Sequence, residues 1–277
     1  MIQKKPTKHS DKQSFQRDGY YVLPALFGSD ESAYWKAEIS ALFGLSDNQE
    51  ASKDGAGITY ALADGVTARE QFWPVIFNTK LIKVIRSLIG QDVRYTQHSD
   101  LHINLPGGRW HRDNACREYG VGPDWDESNE PYSVVRVAIY LSEYSESNSS
   151  LVVLPGSHKR ESKINRAEYV LWNQFRTFLR KHGKNDLLPH KFLTAPCRIL
   201  ETHSGDCVIF DQRLMHAGGI VFGPKPKYSI FLSFGANNQH SINHRKFFLN
   251  RPTYNPVIPD ALQQKLLKSG LLLDGSK

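Results

Sequence analysis

Two His-x-Asp triplets stand out for the chemistry they could support: His98-Ser99-Asp100 and His111-Arg112-Asp113. In an extended chain residues i and i+2 point to the same side. Either triplet therefore aims an imidazole nitrogen and a carboxylate oxygen at one point. A third ligand must come from another strand, and His216 is the best placed. It ends the stretch GDCVIFDQRLMHAGG, a β-like run followed by a bend, the histidine and two glycines. Two histidines and one carboxylate on one face, with three positions open, form the facial triad of non-haem Fe(II) oxygenases. Eleven histidines make a chance triplet easy to find, and spacing alone does not choose between His98 and His111.

These residues fall in the part of the chain richest in strand signals. From about residue 92 onward, DVRYTQHSDLHINLP, SVVRVAIYLSEY, SLVVLPGSH, CRILETH, GDCVIFDQRLMHAGG and YSIFLSFGA are short, rich in Val, Ile and Tyr, and separated by turn residues. Before them, GYYVLPALF at 19–27 reads as a strand running into a turn. Two helical segments follow: SDESAYWKAEISALFGL from a Ser29/Asp30 cap, and residues 79–90, ended by Gly90. A helix is expected at about 165–182 and a last short one in IPDALQQKLLKSG. Residues 1–13, rich in Lys, Gln and Ser, read as a flexible leader. Residues 14–277 read as one domain, mainly β with flanking helices, of the barrel or double-sheet kind.

Composition narrows the class. The chain has 277 residues, with 40% apolar and 23% charged side chains. That is ordinary globular usage, and the chain is long enough to bury a full core without staples. Three cysteines, Cys116, Cys197 and Cys207, form no CxxC pair and are odd in number, which argues against a disulfide framework. The first residues lack the apolar run of a secretory signal, and no apolar stretch approaches the roughly 18 residues that span a bilayer. A cytoplasmic protein without a membrane span is the expectation. The formal charge of +7 favours a small anionic partner. Lys and Arg are scattered, with no basic-aromatic run, so nucleic acid is not expected. Oligomeric state is not legible.

Four stretches occur in a telling order: SFQRDGYYVLPALF, LPGGRWHRD, VAIYLSEYSESNSSLVVLPGSHK and GDCVIFDQRLMHAGG. The order resembles the phytanoyl-CoA dioxygenase family, whose members open on a Phe…Asp-Gly-Tyr segment. They then carry Trp-His-x-Asp, a Pro-Gly-Ser-His turn and a Gly-Asp…Phe…His stretch. The resemblance covers residues 14–236 and implies a double-stranded β-helix (a jelly roll, cupin-like) using Fe(II), 2-oxoglutarate and O2. It also selects His111 over His98, because His111 follows the tryptophan. His111, Asp113 and His216 are then the expected iron ligands, and the retained carboxylate disfavours halogenation.

One departure matters. The family usually has an arginine about eleven residues after the second histidine, where it pairs with the distal carboxylate of 2-oxoglutarate; here Lys227 stands there. A lysine binds a carboxylate as a point charge and not as a fork. Ser229, two residues on, shares its strand face, and Arg136 is the reserve partner. Near the iron ligands, Trp110, Arg112, Arg117 and Trp125 are candidates to touch substrate, with segment 114–130 a possible lid. His158 is expected in a turn, Asn148 to Ser150 in another, Asp206 at the turn before the last histidine strand, and Trp172 in the core.

The expectation is a 2-oxoglutarate-dependent dioxygenase that hydroxylates an unactivated C–H bond of a polar, anionic small molecule, a specialised metabolite or a sugar or glycolipid under modification. The alternatives are a metal-binding or sugar-binding jelly roll without oxygenase activity, and a Lewis-acid isomerase or hydrolase. Succinate formation separates the first from both.

Overall fold

The computed structural model of the chain describes residues 10–45, 60–104, 110–123, 125–147, 151–161, part of 167–182, 196–218, 225–255 and 257–275. The glycines of LPGGRW, residues 148–150 and Trp172 lie outside the described residues.

The elements run α1 (Asp11–Asp18), β1 (Tyr20–Leu23), α2 (Ser29–Leu42), β2 (Tyr60–Ala63), α3 (Trp73–Ile76), α4 (Thr79–Ile89), β3 (Val93–Tyr95), β4 (Asp100–Ile103) and β5 (Val134–Tyr140). After these come α5 (Tyr144–Ser147), β6 (Leu151–Val153), β7 (Arg198–Leu200), β8 (Cys207–Asp211), β9 (His216–Gly218), β10 (Tyr228–Ala236), α6 (Gln239–Leu249) and α7 (Asp260–Lys268). Helix α1 starts inside the segment read as a leader. Ser10 caps it, with the Ser10 hydroxyl accepting from the Gln13 N–H and Gln13 reaching back to the Ser10 N–H. This capping box orders residues that composition alone assigned to a tail. The described residues of 167–182 are helical apart from a terminal turn, as the sequence suggested.

The strands build two antiparallel sheets. The larger has the order β1-β8-β5-β10-β4-β2, with β3 pairing β10 beyond β4; the smaller is β7-β6-β9. This is the double-sheet jelly roll expected from the strand-rich sequence.

The side-chain alternation of β5 shows why. Val135, Val137 and Ile139 face the helices, in a large core with Ile39, Ile85, Leu101, Ile209, Leu232 and Leu262. Ala138 and Tyr140 face inward, joining Leu151, Val208 and Phe210 between the sheets. A strand buried on both faces reads as a continuous apolar run, and VVRVAIY does so except at Arg136. The same alternation holds in β10, where Ile230, Leu232 and Phe234 face outward, and in β4, where Leu101 and Ile103 do. The intervening residues, Ser229, Phe231 and Ser233 on β10, Asp100 and His102 on β4, and Arg136 on β5, therefore line the interior. A polar cavity wall is thus interleaved with a hydrophobic core along the same strands.

Turn chemistry fixes the ends. Asp206 accepts from the backbone N–H of Ala25 at 2.9 Å and of His203 at 2.8 Å, tying the turn before β8 to the loop after β1. Gly205 there has φ +88°, and a Cβ would sit 2.1 Å from the Phe27 carbonyl oxygen. His158 lies in the turn after β6, its Nε2 3.1 Å from the Gln16 carbonyl.

Candidate active site

His111 and His216 are locked opposite each other before any side chain is considered. Each backbone N–H donates to the other's carbonyl at 2.9 Å, an antiparallel bridge that sets their rings 4.4 Å apart. Asp113, two residues beyond His111, donates its own N–H to the Gln212 carbonyl at 2.7 Å and so stays in register with the bend before β9. The outcome is that His111 Nε2 lies 3.4 Å from Asp113 Oδ1, and His216 Nε2 lies 3.7 Å from Asp113 Oδ2. One donor atom from each residue falls within 4.8 Å of the others.

The donor chemistry suits a divalent ion. His216 Nδ1 is 2.9 Å from the Leu214 carbonyl. A carbonyl only accepts, so Nδ1 carries the proton and Nε2 presents its lone pair to the cluster. Burial, then the neighbouring His111, lowers the His216 pKa to about 4, which keeps the ring neutral. For Asp113, burial would raise the pKa, but His216 and His111 together hold it well below the usual carboxylate range. Two imidazoles and one carboxylate on one side of a cavity are the ligand set of non-haem iron. Among the described residues no other group of three His, Cys, Asp or Glu side chains gathers in this way. His98 and Asp100, the competing triplet, do not join such a group. His98 Nδ1 is 3.2 Å from His244 Nε2 and the ring stacks on Phe248 at 3.5 Å, while Asp100 is held by Arg136 and Tyr254.

The cluster opens into a cavity of about 280 Å³, lined also by His102, Tyr140, Lys227, Ser229 and Phe231. Lys227 is buried, its ammonium 5.3 Å from the Tyr140 ring centre. Its position is set by a reciprocal backbone clasp. The Asn104 N–H donates to the Lys227 carbonyl at 2.8 Å, and the Lys227 N–H donates to Asn104 Oδ1 at 2.7 Å. Asn104 has φ +52°, a left-handed conformation that Asn tolerates better than most residues. Burial lowers the Lys227 pKa to about 8. A bound carboxylate at that ammonium would offset the lost hydration. Ser229 shares the interior face, so the strand presents a cation and a hydroxyl together.

Arg136, the reserve partner for a cosubstrate, is engaged elsewhere. Its guanidinium donates to Asp100, to the His98 carbonyl at 2.8 Å and to Ser233 Oγ at 3.2 Å. Its Nε stands 4.0 Å from Asp113 Oδ2. Arg136 thus bridges Asp100 to Asp113, and Tyr254 donates its hydroxyl to the other Asp100 oxygen at 2.6 Å.

Of the four candidates for substrate contact, only Arg117 lines the cavity. Trp110 is 2% exposed and packs with Val152, Leu154 and Ala217 on the outer face of the small sheet. Arg112 is 1% exposed and donates to the Ser157 and Arg213 carbonyls. Alternation explains it: residues on either side of a ligand in an extended chain point away from the ligand. Trp125 lies against the guanidiniums of Arg112 and Arg213, 5.9 and 5.4 Å from its ring centre. Its segment is tied to the body by Arg213–Glu127 at 2.9 Å. Phe248, Arg251 and Tyr254, which do line the cavity, follow the last strand and carry no motif.

A family model for phytanoyl-CoA dioxygenase (PhyH) matches residues 15–228. A curated relative, the ectoine dioxygenase of Streptomyces avermitilis, is 22% identical over 263 residues, 90% of this chain and 85% of its own length. Two solved structures share the fold. The epimerase SnoN from nogalamycin biosynthesis, in complex with Fe3+, alpha ketoglutarate and nogalamycin RO, has a TM-score of 0.58 at 13% identity, with 82% of each chain covered. HygX from Streptomyces hygroscopicus, with nickel and 2-oxoglutarate bound, has a TM-score of 0.57 at 17% identity over 82% of this chain and 86% of HygX. Fold, ordered motifs and family match agree: the chain belongs to the phytanoyl-CoA dioxygenase family.

Proposed function

We propose that the chain is an Fe(II)- and 2-oxoglutarate-dependent dioxygenase that hydroxylates a C–H bond of a small polar molecule. The observation that carries this is the meeting of the His111–Asp113–His216 cluster and the buried Lys227 ammonium in one small cavity. A metal site with its own buried cation a short way along the wall is a place for a dicarboxylate that reaches from one to the other.

His111, Asp113 and His216 would hold iron by three ligands, and Lys227, with Ser229, would take the distal carboxylate of 2-oxoglutarate. Iron and cosubstrate, when bound, supply O2 activation, with succinate and CO2 as the products of the keto acid. The chain's own part is position and dryness. The backbone bridge between His111 and His216 fixes two ligands, Arg136 stands behind the third, and Tyr140, Leu151, Phe231 and Phe248 supply apolar wall.

At about 280 Å³, the cavity is just below the roughly 300–1,000 Å³ usual for ligand sites, and it must hold the cosubstrate as well. That favours a compact substrate over a long acyl-CoA. The curated relative is named for ectoine, and a substrate of comparable compactness fits here. Cys116, Cys197 and Cys207 form no disulfide, which supports a reducing, cytoplasmic setting. Among the described residues no helix is long and apolar enough to cross a membrane.

The test is succinate formation from 2-oxoglutarate with Fe(II) and O2, in the wild type and in Asp113→Ala. Succinate from the wild type and none from the variant supports the assignment. An Fe(II)-binding protein that forms no succinate, alone or with any candidate substrate, is a metal-binding jelly roll of another activity.

A further inference from the structure

The metal cluster, Lys227 and Ser229 account for the inner part of the cavity and leave its outer wall unexplained. Two guanidiniums line that wall: Arg117, four residues after Asp113, and Arg251, just past α6. The other arginines close to the site have partners. Arg136 holds Asp100, Arg213 holds Asp211 and Glu127, and Arg245 holds Gln97. Among the described residues neither Arg117 nor Arg251 forms an ion pair with a carboxylate. Arg251 lies over the Phe248 and Phe247 rings, 4.0 and 5.2 Å from their centres. A guanidinium laid on aromatic faces keeps its N–H edge free for an acceptor in its plane.

Two further observations point the same way. Burial, then the charge of Arg117, lowers the Arg251 pKa, so the two cations repel across the cavity and a shared anion would relieve both. Arg117 also has φ +60°, the left-handed region that a non-glycine residue occupies at a cost, and such strain collects at ligand sites. Charge counting over the lining residues agrees. Four cations (Arg117, Arg136, Lys227 and Arg251) face two carboxylates (Asp100 and Asp113). A divalent iron and the dianionic 2-oxoglutarate cancel each other, so the excess of positive charge is left for the substrate.

We propose that Arg117 and Arg251 form an anion-binding subsite for the substrate, which is a small molecule bearing an oxyanion, a carboxylate or a phosphate, held at the outer wall with its reacting carbon toward the His111–Asp113–His216 cluster. This rests on the dioxygenase reading for what happens at that carbon, while the binding of the anion stands apart from it. The subsite uses Arg251, which lies beyond the residues 15–228 that the family model matches.

The experiment is calorimetric titration of the protein, saturated with 2-oxoglutarate and with zinc in place of iron, against a panel of small probes. The panel holds amino and hydroxy acids, linear, cyclic and aromatic, each with its carboxamide, and the phosphate monoesters of the corresponding alcohols. The variants are Arg251→Gln and Arg117→Gly. The expected result is that charged members bind at least tenfold tighter than their neutral partners. Each variant removes that preference while 2-oxoglutarate affinity changes less than twofold. Arg117→Gly, which relieves the backbone, should melt no lower than the wild type, so its loss of selectivity is not a folding defect. Preference for acids over phosphates, or the reverse, identifies the oxyanion. A panel without charge preference, or variants that lose 2-oxoglutarate in place of the probes, would overturn the proposal. If 2-oxoglutarate itself does not bind the wild type, the dioxygenase reading fails, and the same titrations on the ligand-free protein still decide the subsite.

Discussion

Lys227 and Asn104 hold each other by two hydrogen bonds across 123 residues of chain, from the Asn104 N–H to the Lys227 carbonyl at 2.8 Å and from the Lys227 N–H to Asn104 Oδ1 at 2.7 Å. The pair joins the end of β4 to the start of β10 and delivers an ammonium group into the interior of the jelly roll. Burial of that group sets up a pH dependence that can be measured.

The Lys227 pKa falls from 10.5 to about 8 in the folded protein. Between those values the unfolded chain binds the extra proton, so stability rises as pH increases through that window. If Lys227 takes the distal carboxylate of 2-oxoglutarate as proposed, binding needs the charged form, so the affinity should fall as pH passes about 8. Lys227→Met should flatten both trends, raise the melting temperature of the ligand-free protein at neutral pH, and weaken 2-oxoglutarate by tenfold or more. Lys227→Arg should recover much of the affinity, since a guanidinium retains its charge at high pH. Melting and calorimetric titrations from pH 7 to 10 check all four. An affinity unchanged in Lys227→Met would move the carboxylate partner elsewhere.

Arg136 stands between Asp100 and Asp113, so its loss should be felt in two ways. Arg136→Met leaves the Asp100 carboxylate without its guanidinium in a largely buried place, a change that costs on the order of 3–5 kcal/mol. Tyr254→Phe removes only one hydrogen bond to the same carboxylate, about 1.5–3 kcal/mol. Urea unfolding should rank the two in that order. Fe(II) affinity should fall more in Arg136→Met, because only Arg136 reaches Asp113. Equal effects of the two variants on iron would show that Arg136 acts on stability alone.

The proposed metal ligands carry a stability prediction of their own. A ligand at a hundred times its dissociation constant adds about 2.7 kcal/mol, so Fe(II) or zinc should raise the melting temperature of the wild type. His216→Ala should lose that rise altogether. His98→Ala should keep it, because His98 packs on Phe248 and His244 and lies outside the cluster. A metal-induced rise lost in His98→Ala and kept in His216→Ala would reverse the assignment of the two triplets.

Gly205 tests the scaffold independently. Its left-handed φ costs a non-glycine residue about 1–2 kcal/mol, and an alanine Cβ would also strike the Phe27 carbonyl. Gly205→Ala should therefore destabilise by more than that in chemical unfolding, and the folded fraction should still bind metal. A neutral effect would mean that the turn before β8 rearranges freely.

How much of this was written in the sequence differs by residue. The strands from β3 to β10 were legible because apolar and β-branched residues alternate or run together between turn residues, and α4 because its apolar stripe ends at Gly90. The three cluster residues were legible through i, i+2 geometry and the order of motifs, which chose His111 where spacing alone did not. Lys227 was legible only through the resemblance, which implies a cation about eleven residues after the second histidine. The same alternation that placed His111 and Asp113 inside should have placed Trp110 and Arg112 outside, and proximity in sequence was the misleading signal. Arg136 sits alone in an apolar strand, which marks an interior charge, but its partner Asp100 is 36 residues away and no local pattern names it. Helix α6 has a cap in Asn238, yet its mixture of His, Asn, Arg and Phe shows no clean stripe. Arg251 and Tyr254 enter the site only through the way this helix packs.

The most direct measurement is made without oxygen. Fe(II) and 2-oxoglutarate are added to the metal-free protein, and the visible absorption is recorded for the wild type, His216→Ala and Lys227→Ala. The account predicts a weak charge-transfer band of the chelated keto acid in the wild type, none in His216→Ala, and in Lys227→Ala a band that needs much more 2-oxoglutarate to develop. No band in the wild type at saturating iron and 2-oxoglutarate would contradict it.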